Sequence, residues 1–507
     1  MSETKVFPGK MFENLPSTDK LAMSFEEYCR YDGLGLAELV RKEEVTPTEL
    51  AEIAAAGISK VNPQLNAIVQ YHADRVAQVD RETDINGPFA GVPTLLKDMG
   101  MPDKGKLLTD GSRMAQDYVA EESGHLVSLM KQQCGFNIIA TTTAPEFGTS
   151  LSTESTLHGK THNPYKLGFS SGGSSGGTGA SVAAGIVPVA QAGDGGGSAR
   201  VPAAACGLYG YKSSRGFQSL GPGMNDGLAL VVSEAMFNAH SVRDLAAGLD
   251  GTKGQLAGEF VPSKEYPSLL YTVSDGYAPR KLRVAVLAND ARNGRFPIHP
   301  DMQSYVLRAA EMLTELGHEV EQIASMPYDE ETYYKAMTDC FIVGTSTHPK
   351  GMSTRSGRPM TEEWIEPIHV KMVEESFRKT ADDALGYYAT FNETARAMGR
   401  LHEQYDVLLT PFFSQFTPEL GIYDLARTDL SVYEYMDLLW GAVPYSPVAN
   451  ATGQPACIIP LFMHEGLPVA VQVYAKIGDD ETLFNLMRQM EEAYPFNHRP
   501  QIHVTNC

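Results

Sequence analysis

Apolar residues along the chain fall into two spacings, one suited to helices and one to short buried strands. Phe25 to Val40 carries its apolar residues at helical spacing, interrupted at Asp32-Gly33. Thr46-Pro47-Thr48-Glu49 opens a second helix, with Thr46 as N-cap, Pro47 in the first turn and Glu49 closing a capping box. The pattern predicts that this helix runs to about Val61 and stops before Pro63. Gly91 to Leu96 reads as a short buried strand leading to Lys97; Phe136–Thr141, Leu282–Leu287, Asp406–Leu409 and Val469–Tyr474 read as further strands. Pro300 to Leu316 is a predicted helix closed by Gly317 with a strand after it, and Glu481 to Ala493 is a final helix. Residues 331–405 read as mostly helical, with a polar break from His348 to Pro359. Strands alternating with helices predict an α/β fold, an α/β/α arrangement around a mixed, largely parallel central sheet. The expected organisation is an N-terminal arm and helix over 1–45 and one domain over 46–495, with 331–405 as a helical elaboration inside it.

Composition narrows the classes. With 507 residues, 43% hydrophobic and 20% charged, the chain can bury a large core, which excludes disorder for its bulk. Acids exceed bases by 62 − 41 = 21, and the net charge of −21 repels phosphate backbones and anionic lipid. No basic run offsets it, so neither nucleic acid nor membrane is an expected partner. The six cysteines, at 29, 134, 206, 340, 457 and 507, form no CxxC and no zinc-spaced cluster with histidine. They read as reduced core residues, and no metal or other cofactor is expected. Residues 1–20 form a polar arm without the apolar stretch of a signal peptide, and Val182 to Ala192 is too short to span a membrane. These features point to a cytoplasmic enzyme.

One stretch departs from the rest: Gly168 to Ser181 is rich in glycine and serine, and Gly193-Asp194-Gly195-Gly196-Gly197-Ser198-Ala199-Arg200 follows it. A flexible linker would explain the composition, but the apolar run Ala180 to Val189 follows at once, and linkers do not feed straight into buried elements. A phosphate-binding loop fails because Glu154 stands where the first glycine before Gly159-Lys160-Thr161 is needed. A nucleophile elbow, G-x-S-x-G, matches at Gly168–Gly172 and again at Gly172–Gly176, which shows how weak that pattern is here. Ser17-Thr18-Asp19-Lys20 matches S-x-x-K in the polar arm, without partner motifs. His402-Glu403 and His464-Glu465 lack the second histidine of a zinc-protease helix. The remaining reading sets Ser174-Ser175 and Ser198 on two loops facing a buried lysine.

That reading resembles the amidase signature family. Its words here are Gly91 to Asp98, Thr143-Ala144-Pro145-Glu146-Phe147-Gly148, Asn163-Pro164, Gly172 to Gly177, Asp194 to Arg200, Pro202, Asp406 to Pro411, Gly453-Gln454-Pro455-Ala456 and Leu467 to Gln472. The likeness spans about residues 46–490 in the family's order. Gly195-Gly196-Gly197-Ser198 stands where Thr-Gly-Gly-Ser is usual, and Lys212-Ser213-Ser214 where Lys-Pro-Thr is usual. The C-terminal third looks most like hydrolases of nylon-oligomer and aryl-amide type.

The resemblance implies an amidase-signature-type fold and amide hydrolysis through a serine acyl-enzyme, without a cofactor. It makes Ser198 the nucleophile, Ser174 the bridging serine after a cis peptide at Gly173, and Lys97 the base. An amide is a poor electrophile, so the reaction also needs an oxyanion site; the N–H groups of Gly195, Gly196, Gly197 and Ser198 are expected to supply it. Lys97 must then be neutral, which burial can achieve by lowering the ordinary lysine value of about 10.4; the competing role is a salt bridge to Asp98. Asp194 and Arg200 look like the family's buried structural pair. Ser175 either joins the serine network or simply caps a helix. Cys340 falls in a helix that could line the pocket, and Tyr333, Tyr334, Phe341, Trp364 and Trp440 read chiefly as core. The expected partner is a small-molecule amide, with self-association into a homodimer left open. A carbamate or ester hydrolase with the same triad, and the A-type subunit of an amidotransferase, are the alternatives.

Overall fold

A computed structural model of the chain describes residues 12, 15–16, 20–82, 84–221, 234–259, 261 and 265–506. Most of the expected 1–20 arm, including Ser17-Thr18-Asp19, and Cys507 lie outside the described residues. The interruption at Asp32-Gly33 is a cap between two helices, Phe25–Tyr28 and Gly33–Arg41, in which the Asp32 side chain accepts from Gly35 N. The Thr46/Glu49 capping box forms as expected. The helix it opens runs beyond the predicted stop, over Pro47–Leu65 with Pro63 inside its last turn. The actual stop comes from Asn62, whose Oδ1 accepts from Ala67 N and Ile68 N, and from Asn66 in the left-handed conformation.

Thirteen strands are present among the described residues. Ile68–Tyr71 (β1), Pro93–Lys97 (β2) and Asn137–Thr142 (β3) form a three-stranded sheet in the order β1-β3-β2. Glu154–Ser155 (β4) and Gly159–Lys160 (β5) form a small ribbon. The large sheet is built from Val189–Asp194 (β6), Tyr209–Lys212 (β7), Glu234–Ala239 (β8), Arg283–Val286 (β9), Glu319–Gln322 (β10), Val407–Pro411 (β11), Ala456–His464 (β12) and Leu467–Ala475 (β13). Its order is β10-β9-β11-β13-β12-β7-β8-β6. The β2 strand flanks β6 through side chains: Thr94 Oγ1 donates to Val189 O at 2.8 Å, and Lys97 N donates to Gln191 Oε1 at 3.0 Å.

The sheet is mixed, as expected, but it is not largely parallel. Only β2–β3, β9–β10 and β9–β11 pair in parallel, whereas β6 through β8 and β11 through β13 pair antiparallel. One of these antiparallel pairs is a hairpin that the periodicity does not reveal. Residues Glu465 and Gly466, both at positive φ, turn β12 directly into β13. A continuous apolar strand such as Ala456 to Pro460 carries no alternation to mark it.

Helices cover the sheet, and the 331–405 region supplies three of them. Glu330–Ser356 runs unbroken through His348 and Pro349, so the expected break starts only at Gly357, in the left-handed conformation. Pro367–Ser376 and Ala381–Gln404 complete the group, the last opened by a Thr380/Asp383 capping box.

Candidate active site

Lys97 is the last residue of β2, 3% exposed, and every residue of that strand is buried. Its Nζ donates to Ser174 Oγ at 2.6 Å. Among the described residues no carboxylate lies within ion-pair distance of it. Asp98 is engaged elsewhere, accepting from Thr109 N at 2.7 Å and facing His158 Nε2 at 3.2 Å. The salt bridge to Asp98 is therefore not formed. Burial drives the Lys97 ammonium down to about 7, against the weaker pull of the Asp194 and Asp110 carboxylates in the other direction.

Ser174 follows a cis peptide from Gly173 and is 1% exposed. A Cβ on Gly173 would lie 2.5 Å from Ser150 O and 2.7 Å from Ser152 N, so only glycine fits that crossing. Ser175 N donates to Ser198 O at 3.1 Å, which ties the two serine loops together. The Ser175 hydroxyl makes no capping bond to the Gly176–Ala183 helix; it accepts from Gly193 N at 3.2 Å and so belongs to the loop network.

The second loop is held from beneath. Asp194 accepts from Arg200 Nε and Nη2, both at 2.9 Å, and from Gly197 N at 2.7 Å. Arg200, fully buried, also donates to Ser446 O, Gln472 Oε1 and Asn450 Oδ1. Burial alone would raise the Asp194 carboxyl, but the Arg200 charge and the bonds from Arg200 and Asn450 hold it at about 2. Gly197 sits at φ 132°, and a Cβ there would collide with Ser446 Oγ. Gly197 N is thus committed to Asp194, whereas the N–H groups of Gly195, Gly196 and Ser198 make no hydrogen bond among the described residues.

Lys97, Ser174, Ser198, Gly193, Asp194 and Gly195 line one cavity with about 830 Å³ of empty space, part of it open to solvent. Its walls are mainly apolar, from Met99, Met101, Phe147, Leu220 and Phe341. Cys340 lines it, as does Phe341, which meets Trp440 edge-on at 4.9 Å. Tyr333, Tyr334 and Trp440 are buried core residues, and Trp364 lies beneath the Arg358 guanidinium at 4.7 Å. The sequence did not single out Gln191, Glu234, Thr345 or His348, which also line the cavity. Asn450 and Ser446, which clamp the loop from more than 240 positions away, carry no local signal either. His402 and His464 lie in no metal-binding group; among the described residues no cluster of three His, Cys, Asp or Glu could hold an ion. The five described cysteines are free thiols, and among the described residues no helix is long and apolar enough to cross a membrane.

The Amidase family profile matches residues 49–484. The 6-aminohexanoate-cyclic-dimer hydrolase of Paenarthrobacter ureafaciens is 34% identical over 493 residues, covering 93% of this chain and 96% of that protein. A solved structure of 6-aminohexanoate cyclic dimer hydrolase superimposes with a TM-score of 0.84 at 31% identity, over 93% of this chain and 99% of that one. A bacterial aryl acylamidase shares the fold, with a TM-score of 0.82 at 24% identity over 92% and 96% of the two chains. With family words, fold and full-length likeness in agreement, the chain belongs to the amidase signature family, and its reaction is the hydrolysis of a carboxylic amide bond through a serine acyl-enzyme.

Proposed function

We propose that Ser198, Ser174 and Lys97 carry this reaction, and that the substrates are small aliphatic amides of the ω-amino acid type. The observation that carries the reading is the 2.6 Å bond from Lys97 Nζ to Ser174 Oγ in a cavity that Ser198 also lines. Ser198 Oγ attacks the carbonyl carbon as its proton passes to Ser174 Oγ and the Ser174 proton passes to neutral Lys97. The tetrahedral oxyanion is met by the N–H groups of Gly195, Gly196 and Ser198; Gly197 is left out because Asp194 holds its N–H. As the C–N bond breaks, Lys97 returns the proton through Ser174 to the leaving nitrogen. Water then attacks the acyl-enzyme, its proton follows the same relay, and Ser198 is reprotonated as the acid departs.

The substrate class is supported by the cyclic-dimer hydrolase relatives and by the apolar walls around the serines. Free thiols at all five described cysteines suit action in the reducing cytoplasm. The test is a fluorophosphonate label with a substrate panel of aliphatic amides, anilides, carbamates and esters. Label on Ser198, loss of turnover in Ser198→Ala with an unchanged melting curve, and preference for amides are expected. Label on Ser174 instead would reverse the serine roles, and preference for carbamates or esters would replace the substrate class.

A further inference from the structure

The mechanism uses one side of the cavity and leaves the opposite wall unexplained. That wall is a face of the Glu330–Ser356 helix, where Cys340, Phe341, Gly344, Thr345 and His348 line the space at helical spacing. Phe341 marks the end nearest the catalytic loop: its ring tip is 3.1 Å from where a Cβ on Gly196 would stand. At a rise of about 1.5 Å per residue, Thr345 lies about 6 Å and His348 about 10 Å further along the helix axis. At three residues' separation, Thr345 and His348 are neighbours on the helix surface.

Both side chains are polar, and neither forms a hydrogen bond with another group among the described residues. Thr345 is only 8% exposed, and its hydroxyl does not take the usual carbonyl one turn back. His348 packs near Phe147, with ring centroids 6.1 Å apart, and makes no ion pair among the described residues. Burial, reinforced by the nearby His369, lowers the His348 imidazole to about 4. At neutral pH it therefore presents one donor and one acceptor nitrogen, beside a hydroxyl that can act as either. Neither side chain takes a protein partner among the described residues and both face the open cavity, so a ligand there can supply one. The other polar wall residues differ: Glu234 accepts from Gly216 N at 3.3 Å, Gln191 accepts from Lys97 N at 3.0 Å, and Thr149 Oγ1 donates to Phe147 O at 3.3 Å.

We propose that Thr345 and His348 form a second polar subsite that binds a second amide of the substrate, remote from the scissile one. A secondary amide has one N–H and one C=O, which matches the donor and acceptor capacity of the pair. The helix turns between Phe341 and this pair offer Gly344 and apolar neighbours, a surface for a methylene spacer rather than for charge. This subsite rests on the proposed amide-hydrolase reading and extends it from bond type to substrate architecture: diamides and amide oligomers, linear or cyclic.

The experiment compares two linear molecules of equal chain length, N-butyl ε-acetamidocaproamide and N-butyl nonanamide. Either amide of the first can occupy Ser198 while the other extends on the acyl or the amine side, so orientation does not bias the result. The wild-type ratio of kcat/KM, diamide over monoamide, should exceed one. It should fall roughly tenfold in Thr345→Val and again in His348→Leu, as expected when a neutral hydrogen bond is removed. Partial rescue by His348→Gln, which keeps a donor and an acceptor, separates hydrogen bonding from packing. The same difference should appear in calorimetric binding of both molecules to Ser198→Ala. An unchanged ratio in both variants, or equal losses on both molecules, would overturn the subsite. Failure of the amide-hydrolase reading would show separately, as absent fluorophosphonate labelling of wild-type Ser198.

Discussion

The two sides of the cavity are built on opposite terms. On the proposed catalytic side, residues 172–176 and 193–200 are close in sequence, and the groups that hold the two loops are paired within the protein: Asp194 binds Arg200 and Gly197, Ser175 binds Gly193, and Lys97 binds Ser174. The helical wall spans residues 330–404 and is anchored on its outer side, where buried Asp339 takes Lys379 Nζ at 2.6 Å and Lys335 Nζ at 2.9 Å. On its inner side Thr345 and His348 stay open. Bond-breaking needs atoms fixed before the substrate arrives. Selection among substrates needs groups whose partners the substrate itself supplies. One side is held in place by its own network and leaves the N–H groups of Gly195, Gly196 and Ser198 for the substrate; on the other, Thr345 and His348 have no protein partner among the described residues to hold them.

The largest break in this contrast is Lys97→Ala. Loss of the proposed general base should lower kcat by at least about 10²–10⁴-fold, while a charge-neutral distant change such as His402→Gln leaves turnover largely intact. Because burial brings Lys97 down to about 7, the wild-type rate should climb with pH through that region and level off above it. The variant should lack the climb. A full pH–rate profile of both proteins reads this directly, and an unchanged profile in Lys97→Ala would remove Lys97 from the reaction.

Next in size is Arg200→Leu, which leaves the Asp194 carboxylate buried without its counterion. Breaking a buried pair from one side typically costs about 3–5 kcal/mol, visible in urea unfolding near neutral pH. The sign with pH follows from the lowered Asp194 carboxyl, held at about 2 in the folded protein. Its stabilising effect is present above the unfolded carboxylate range, about 3.9, and is lost as pH falls toward 2. The gap between wild type and Arg200→Leu should therefore shrink on acidification.

How far these two sides could be read from sequence follows from the range of their contacts. Lys97, Ser174, Ser198, Asp194 and Arg200 sit in the short words that carry the family resemblance; the structure places the first four on one cavity, with Arg200 buried and bonded to Asp194. Helix starts with capping boxes at Thr46 were equally plain, because the cap lies within four residues. The hairpin of β12 and β13 was missed since a strand buried on both faces shows no alternation. Thr345 and His348 were missed because a cavity-facing stripe on a helix looks the same in sequence as a core-facing one. The clamp by Ser446 and Asn450 depends on tertiary folding alone.

A third test turns on stability at the proposed relay. In the folded protein Lys97 titrates near 7, well below its ordinary value of 10.5. Between those values the unfolded chain holds a proton that the folded chain does not, so stability rises with pH across that window. Lys97→Met should lack this rise, and the two unfolding curves should approach one another as pH increases from about 7 toward 10. A parallel pair of curves would mean that the lysine is charged when folded.

The smallest expected effect lies on the outer side of the helical wall and separates its two lysines. Lys335 is 78% exposed and Lys379 only 16%, yet both reach Asp339, which is almost fully buried. An exposed pair is screened and holds a long side chain at an entropic cost, so Lys335→Ala should change unfolding free energy by about 1 kcal/mol or less. Lys379 bridges Asp339 and Tyr433 and links the segment after Ser376 to the Val432–Ala442 helix. Lys379→Ala leaves the Asp339 carboxylate with exposed Lys335 as its remaining cation, beside the Tyr433 hydroxyl at 3.3 Å, and should cost more than Lys335→Ala. Because the Glu330–Ser356 helix carries both Asp339 and the Thr345–His348 face, that loosening should raise KM for the diamide more than it lowers kcat. Equal costs for the two lysines, or a loss confined to kcat, would show that the outer anchor does not set the position of the inner face.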